Sequence, residues 1–277
     1  QAAAAGTWPT AGLRPNYIED VFSTWLYTGT GAAQTITNGI DTATYGAMVW
    51  SKSRSNAVSN IVVDSVRGGT NALITNSTAA NSADAGFHIS SFNSNGYSLQ
   101  GAGSGDNASG YTYASWTFRE QPKFFDVVTY TGNGSNPRNI AHNLNSVPGF
   151  IVVKNTGSTS NWYVLHRGSG AWVNGLCLND TRAGASGVGS GFGTPTSTDF
   201  VITGGDTNGS GESYVAYLFA HDAGGFGLTG TDNVISCGSW TGNGATLGAE
   251  VNLGYEPQWI LIKDASSASE NWIVVDN

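Results

Sequence analysis

The sequence predicts an all-β protein built from tandem antiparallel β-sandwich modules, jelly-roll-like, of about 105 residues each. Three observations predict it. Short apolar runs rich in Val, Ile, Phe, Tyr and Trp, such as "FDVVTY", "GFIVVK" and "WYVLHR", are bounded by Gly, Asn, Ser and Pro, the punctuation of strands and turns. No window shows helical spacing with caps. The same phrases recur in the same order along the chain, and that self-similarity sets the domain organisation.

Residues 1–21, "QAAAAGTWPTAGLRPNYIEDV", break the pattern and read as an N-terminal arm or linker. The first module is then 22–122, the second 123–226, and the third, partial, 227–277. Each opens on "YTGTG" (Tyr27–Gly31), "YTGNG" (Tyr130–Gly134) or "WTGNG" (Trp240–Gly244), followed by an apolar strand ending in Lys52, Lys154 or Lys263. A polar loop follows, then a second strand: "NIVVDS", "NWYVLHR" or "NWIVVDN". The first two modules also close alike, with "NASGYTYASWTF" (Asn107–Phe118) and "NGSGESYVAYLF" (Asn208–Phe219). In the third those closing strands are still owed, and half a unit leaves a strand edge unpaired. The expectation is that the natural chain continues past Asn277; the alternative is strand exchange between subunits.

Composition excludes several functions. Charged residues are only 11% of the chain, against roughly 25% in an ordinary soluble domain. With 11 Lys+Arg against 19 Asp+Glu and a net charge of −8, no basic run could exchange counterions with a nucleic acid or hold an anionic membrane surface. No apolar run approaches the ~20 residues of a membrane-spanning helix. Cys177 and Cys237 lack metal-ligand spacing.

Candidate chemistry is sparse. The Thr-Gly-x-Gly phrases lack the third Gly, the Lys and the following helix of a phosphate loop, so they read as turns. "DTNGSGE" places Asp206, Asn208, Ser210 and Glu212 at the early ligand spacing of a calcium loop, but Tyr217 stands where the twelfth-position Glu belongs; a tight Asn/Ser-Gly hairpin is the preferred reading. His88, His142, His166 and His221 have no close partner, and His142 is expected to donate to a backbone carbonyl near its turn. Asp64 and Asp276 fall at equivalent positions where the second module has His166, which does not resemble a repeated glycosidic acid pair. Trp162 and Trp272 lie across a hairpin from Lys154 and Lys263; they are candidate sugar-stacking platforms, the alternative being a Lys stem lying on an indole. The other tryptophans, Trp8, Trp25, Trp50, Trp116, Trp172, Trp240 and Trp259, are assigned to core or interface. No catalytic residue, metal or cofactor is expected.

The phrases "FSTWLYTGTGAAQTITNGID", "PKFFDVVTYTGNG", "AHNLNSVPGFIVVK", "SYVAYLFAHDAGGFG" and "NLGYEPQWILIKD" together resemble repeat-bearing virion structural proteins of marine and cyanobacterial tailed phages. The resemblance runs from about Tyr17 to Asn277. It implies a non-enzymatic tail-fibre, capsid-fibre or head-decoration component located in the virion. Its partners would be other virion proteins and copies of itself, with a host surface glycan as a further ligand. A carbohydrate-binding adhesin module and a bacterial surface or filament subunit are the alternatives.

Overall fold

The alternating apolar runs of the first repeat become nine strands in the computed structural model, which describes residues 15–83, 88–101, 103, 105–169, 175–184 and 191–277. They are β1 (Phe22–Thr28), β2 (Gln34–Thr37), β3 (Ala47–Ser53), β4 (Ile61–Asp64), β5 (Asn71–Ile74), β6 (Ser82–Ala83), β7 (Ile89–Asn93), β8 (Gly96–Leu99) and β9 (Thr112–Arg119). One antiparallel sheet runs β1-β9-β3-β4-β5-β6 and a smaller one runs β2-β8-β7. The second repeat supplies β10 (Phe125–Thr131), β11 (Arg138–Ala141), β12 (Phe150–Asn155), β13 (Trp162–His166), β14 (Leu176–Cys177), β15 (Asp199–Ile202) and β16 (Ser213–Phe219). Its large sheet runs β10-β16-β12-β13-β14, and β11 pairs with β15.

Apart from β6 and β7, which have no counterpart among the described residues of the second repeat, the two strand orders correspond, β1-β9-β3-β4-β5 to β10-β16-β12-β13-β14 and β2-β8 to β11-β15, down to the register. Phe22 faces Phe118 across β1–β9 as Phe125 faces Phe219 across β10–β16. The Tyr27–Tyr113 and Tyr130–Tyr214 pairs both stack at 5.1 Å, the kind of cross-strand aromatic pair that holds a register. From the third repeat come β17 (Trp259–Ile262) and β18 (Ile273–Asp276). There Trp259 faces Asp276 as Met48 faces Asp64 and Phe150 faces His166. The helical elements among the described residues are single turns: Ile18–Asp20, Thr42–Tyr45, Arg167–Ser169 and Gly205–Asn208. None is long or apolar enough to cross a membrane.

The closing strands β9 and β16 are central in their sheets, and all but the first residue of each is buried. A strand covered on both faces has no need of polar alternation: β16, "SYVAYLF", runs nearly unbroken, whereas β9 buries Ser115, Thr117 and Arg119 between its apolar residues. In β16, Tyr214, Ala216 and Leu218 face a core within the second repeat, with Ile151, Val153 and Phe200. Residues Val215, Tyr217 and Phe219 face the opposite way into a core shared by all three repeats. The first repeat has its own inner core around Val49, Ile61, Val63, Tyr97 and Leu99, while Trp50, Trp116 and Phe118 enter the shared one. Trp259, Leu261, Trp272 and Val274 cover that shared core from the third repeat.

The described part of the expected N-terminal arm is tied down. Val21 is fully buried, and the Asn16 side chain donates to the Gly225 carbonyl while its own carbonyl accepts from Gly227 N. Residues 1–14, with Trp8, lie outside the described residues, as does Trp172.

The link between the first two repeats carries a titratable carboxyl. Burial, then the neighbouring Asp126 carboxylate, pushes the Glu120 carboxyl up to about 8. Because its folded pKa lies above the unfolded value of 4.5, Glu120 binds a proton more tightly in the folded chain, so its contribution to stability is full below pH 4.5 and falls as pH rises to 8. After discounting for partial exposure, the loss is about 1–2 kcal/mol. Glu120→Gln is therefore expected to raise the urea midpoint at pH 9 and leave it nearly unchanged at pH 4. An equal effect at both pH values would refute the assignment.

Candidate functional site at the junctions of the repeats

The recurring Thr-Gly-x-Gly phrase builds a clasp between the opening and closing strands. A Cβ on Gly29 would strike the carbonyl oxygen of Ala108, and one on Gly132 that of Gly209, so only glycine fits where these turns meet. The second glycines, Gly31 and Gly134, sit at φ +70° and +73°, a left-handed conformation that other residues adopt at a cost. A buried asparagine locks each clasp. Asn107 accepts from Thr30 N at 3.0 Å and Asn208 from Asn133 N at 3.0 Å, while their backbone carbonyls accept from Gly31 and Gly134. In both of these clasps the turn amides are spent within the fold.

Between the first and second repeats lies a buried polar network. Asp64, fully buried, accepts from Arg67 Nε at 2.6 Å and from the Tyr217 hydroxyl at 2.7 Å; Arg67 also donates to Asn81 Oδ1 at 2.8 Å. Burial and the Asp64 carboxylate raise the Tyr217 hydroxyl pKa well above its ordinary value, the Arg67 guanidinium opposing. Beside this network the Lys154 ammonium, also fully buried, donates to the carbonyls of Ser160 and Thr78 at 2.9 and 3.2 Å. Burial pushes its pKa down to about 8.

These contacts repeat around the shared core. The Trp162 indole donates to Ile74 O at 3.0 Å in the first repeat, and the Trp272 indole donates to Cys177 O at 2.8 Å in the second. Lys154 reaches Thr78 O as Lys263 reaches Thr181 O, both at 3.2 Å. Each closing strand also sends an aromatic donor to the next repeat, Tyr217 to Asp64 and Trp116 to Asp276 at 2.9 Å. The links run second to first, first to third and third to second, the cyclic order of a pseudo-threefold arrangement.

A solvent-open groove of about 620 Å³ crosses the junction of the first two repeats, with Arg67, Asn71, Asn81, Tyr130, Thr156 and Ser213 on its walls. Its lining is rich in hydrogen-bonding groups and, among the described residues, presents neither carboxylate nor imidazole.

The structure moves the sequence-predicted site residues away from ligand binding. Trp162 is only 1% exposed and its N–H is engaged, so it has no ring face to offer a sugar; Trp272 is packed against the shared core. The physical reason is pairing geometry: Lys154 does face Trp162 across the hairpin, but on the face that meets the first repeat. The calcium reading fails likewise. Asn208 Oδ1 is already held by Asn133 N and by the Arg138 guanidinium at 3.0 Å, a cation where a second cation would be needed. Glu212 Oε2 accepts from Asn155 and Ser158, both at 3.1 Å, and Asp206 and Asn208 sit in the short Gly205–Asn208 turn with Ser210 just beyond it. Among the described residues no three His, Cys, Asp or Glu side chains cluster as metal ligands. His142 does meet a turn carbonyl, Thr196 O at 3.3 Å. Trp50 and Trp116 are core residues, whereas Trp25 and Trp240 are exposed.

Sequence reasoning singled out Asp64 and Asn208 for other roles and overlooked Arg67, the partner of Asp64, and the clasp that Asn107 and Asn208 each lock. The asparagines stand at matching places in the two closing phrases, and that identity was the available signal. No curated protein and no solved structure matches the chain. One family model does match, over residues 18–277, and the chain belongs to that family, described as Domain of unknown function (DUF7483).

Proposed function

We propose that this chain is a non-enzymatic structural component of a virus particle, a tail fibre, capsid fibre or head decoration, built from tandem jelly-roll-like β-sandwich modules. The observation that carries the reading is the use made of the reactive side chains. Asp64, Arg67, Lys154 and Tyr217, the groups from which acid-base chemistry would be assembled, bind one repeat to the next. A clefted enzyme aims such groups at a substrate; here they hold one repeat to the next, which suits a rigid rod or particle surface. The phage-virion resemblance of the repeated phrases gives the reading its setting.

Mass spectrometry of purified particles from the encoding phage tests it. The expected result is this chain at many copies per particle; its absence from intact particles would reject the virion role. A carbohydrate-binding adhesin is the second reading, favoured by the Asn, Thr, Ser, Tyr and Arg lining of the groove between the first two repeats.

A further inference from the structure

We propose that the groove between the first and second repeats is a binding site for a neutral hexopyranose polysaccharide, held along an internal segment of the sugar chain. The proposal rests on the carbohydrate-binding reading and gives it a site and a ligand class.

The floor of the groove is the polar end of the second repeat's outer sheet face. On that face β10 presents Phe125, Val127, Thr129 and Thr131 in turn, and β16 presents Phe219, Tyr217, Val215 and Ser213. The apolar members enter the shared core, whereas Thr129, Thr131 and Ser213 are exposed in the groove. Thr131 and Ser213 are partners across β10–β16, and on the other side of β16 Thr156 N donates to Ser213 O at 2.8 Å. The hydroxyls of Thr131, Ser213 and Thr156 therefore form a row with the strand spacing of about 4.8 Å, close to the length of one pyranose unit. Those of Thr129, Thr131 and Ser213 are bonded to no group among the described residues, and Thr156 Oγ1 donates to Ser213 O at 3.1 Å while keeping its lone pairs. Hydroxyls both donate and accept, which is what a row of sugar hydroxyls requires of its partner.

The opposite wall, from the first repeat, supplies fixed donors. Arg67 Nη1 donates to Asn81 Oδ1 at 2.8 Å, Asn81 Nδ2 donates to Asn71 Oδ1 at 2.9 Å, and Asn71 Nδ2 donates to the Arg67 carbonyl. Each of these nitrogens carries two hydrogens and spends one in that chain, so a second N–H of each is left for a ligand oxygen. The wall is held in place at both ends, by Asp64 on Arg67 and by the bond from Asn81 N to Thr156 O at 2.9 Å, which ties it to the floor. Groups ordered before binding lose little entropy when the ligand arrives.

Charge and shape select the class of ligand. Arg67 is the one charged side chain on the lining among the described residues, and Asp64 already answers it; the chain as a whole carries −8. An anionic glycan gains no counter-charge here and is repelled by the rest of the molecule. A peptide strand needs pockets for its alternate side chains, but Val66 is the one aliphatic residue on the walls, and Tyr130 and Tyr214 stack on each other with their hydroxyls engaged at Thr207 O and Gly209 N. The volume of about 620 Å³ falls within the range of ligand sites, and a groove open to solvent along the junction admits the middle of a chain as well as its end.

The experiment titrates the 277-residue chain by calorimetry with maltohexaose, cellohexaose and mannohexaose, and with hexagalacturonic acid as the anionic counterpart. Saturable binding of at least one neutral hexamer is expected, with the uronate weaker by about tenfold or more. Ser213→Tyr, at the exposed first residue of β16, puts a ring into the groove; it should leave the melting temperature unchanged and weaken binding of the neutral hexamer by about tenfold or more. Thr131→Tyr, on the neighbouring strand, should do the same, and it carries the test if Ser213→Tyr lowers the melting temperature. Sugar binding that both variants leave intact, or a preference for the uronate, would overturn the groove assignment while the carbohydrate-binding reading stood. No binding of any of the four sugars would overturn both.

Discussion

Replacing Asp64 with alanine is expected to cost about 3–5 kcal/mol of folding stability, read as a fall in the urea midpoint at pH 7. The side chain is fully buried, and its removal strands the Arg67 guanidinium, which has only 9% of its surface in solvent, together with the Tyr217 hydroxyl. The penalty is that of an unpaired buried charge, not the worth of one ion pair. Arg67→Ala should destabilise comparably by leaving the carboxylate alone with Tyr217. Because the two share one network, the double variant should lose less than the sum of the singles. An Asp64→Ala chain within 1 kcal/mol of the parent would show that the network does not hold the first repeat to the second.

Asp64 and Arg67 are three residues apart in "DSVR", an ordinary local spacing, and Tyr217 lies in the next repeat. The strand itself was legible, because "NIVVDS" has the composition of a buried strand. What was not legible is that the large sheets are covered on both faces, one by the repeat's own small sheet and the other by neighbouring repeats. That second face sends Trp162, Lys154 and Tyr217 inward. An aromatic opposite a lysine looks the same in sequence whether it meets sugar, solvent or a second sheet; only the packing of repeats decides. The elements that the Gly-x-Gly phrases lack mark them as turns, but their partner, the buried Asn107 or Asn208, is about 75 residues away and becomes visible only through the repeat.

Phe118→Ala is the other large effect, expected at about 3–5 kcal/mol for an aromatic removed from a close-packed core. Its consequence is more than local. The Phe118 ring lies 4.9 Å from Phe22 in its own repeat, 5.4 Å from Phe219 in the second and 5.6 Å from Trp259 in the third. Such a residue belongs to no single unit. If the shared core sets cooperativity, the parent chain should unfold in one transition, with tryptophan fluorescence and far-UV circular dichroism superimposing, and Phe118→Ala should move that transition to lower denaturant without dividing it. Leu99→Ala provides the contrast, since Leu99 is confined to the inner core of the first repeat. It too should shift the one transition, because a repeat whose outer sheet face is buried by its neighbours cannot open without exposing Phe118, Phe219 and Trp259 to water. Two separate transitions in the parent chain, only one of them shifted by Phe118→Ala, would mean that the repeats fold as independent beads and that the core between them adds contact but not cooperativity.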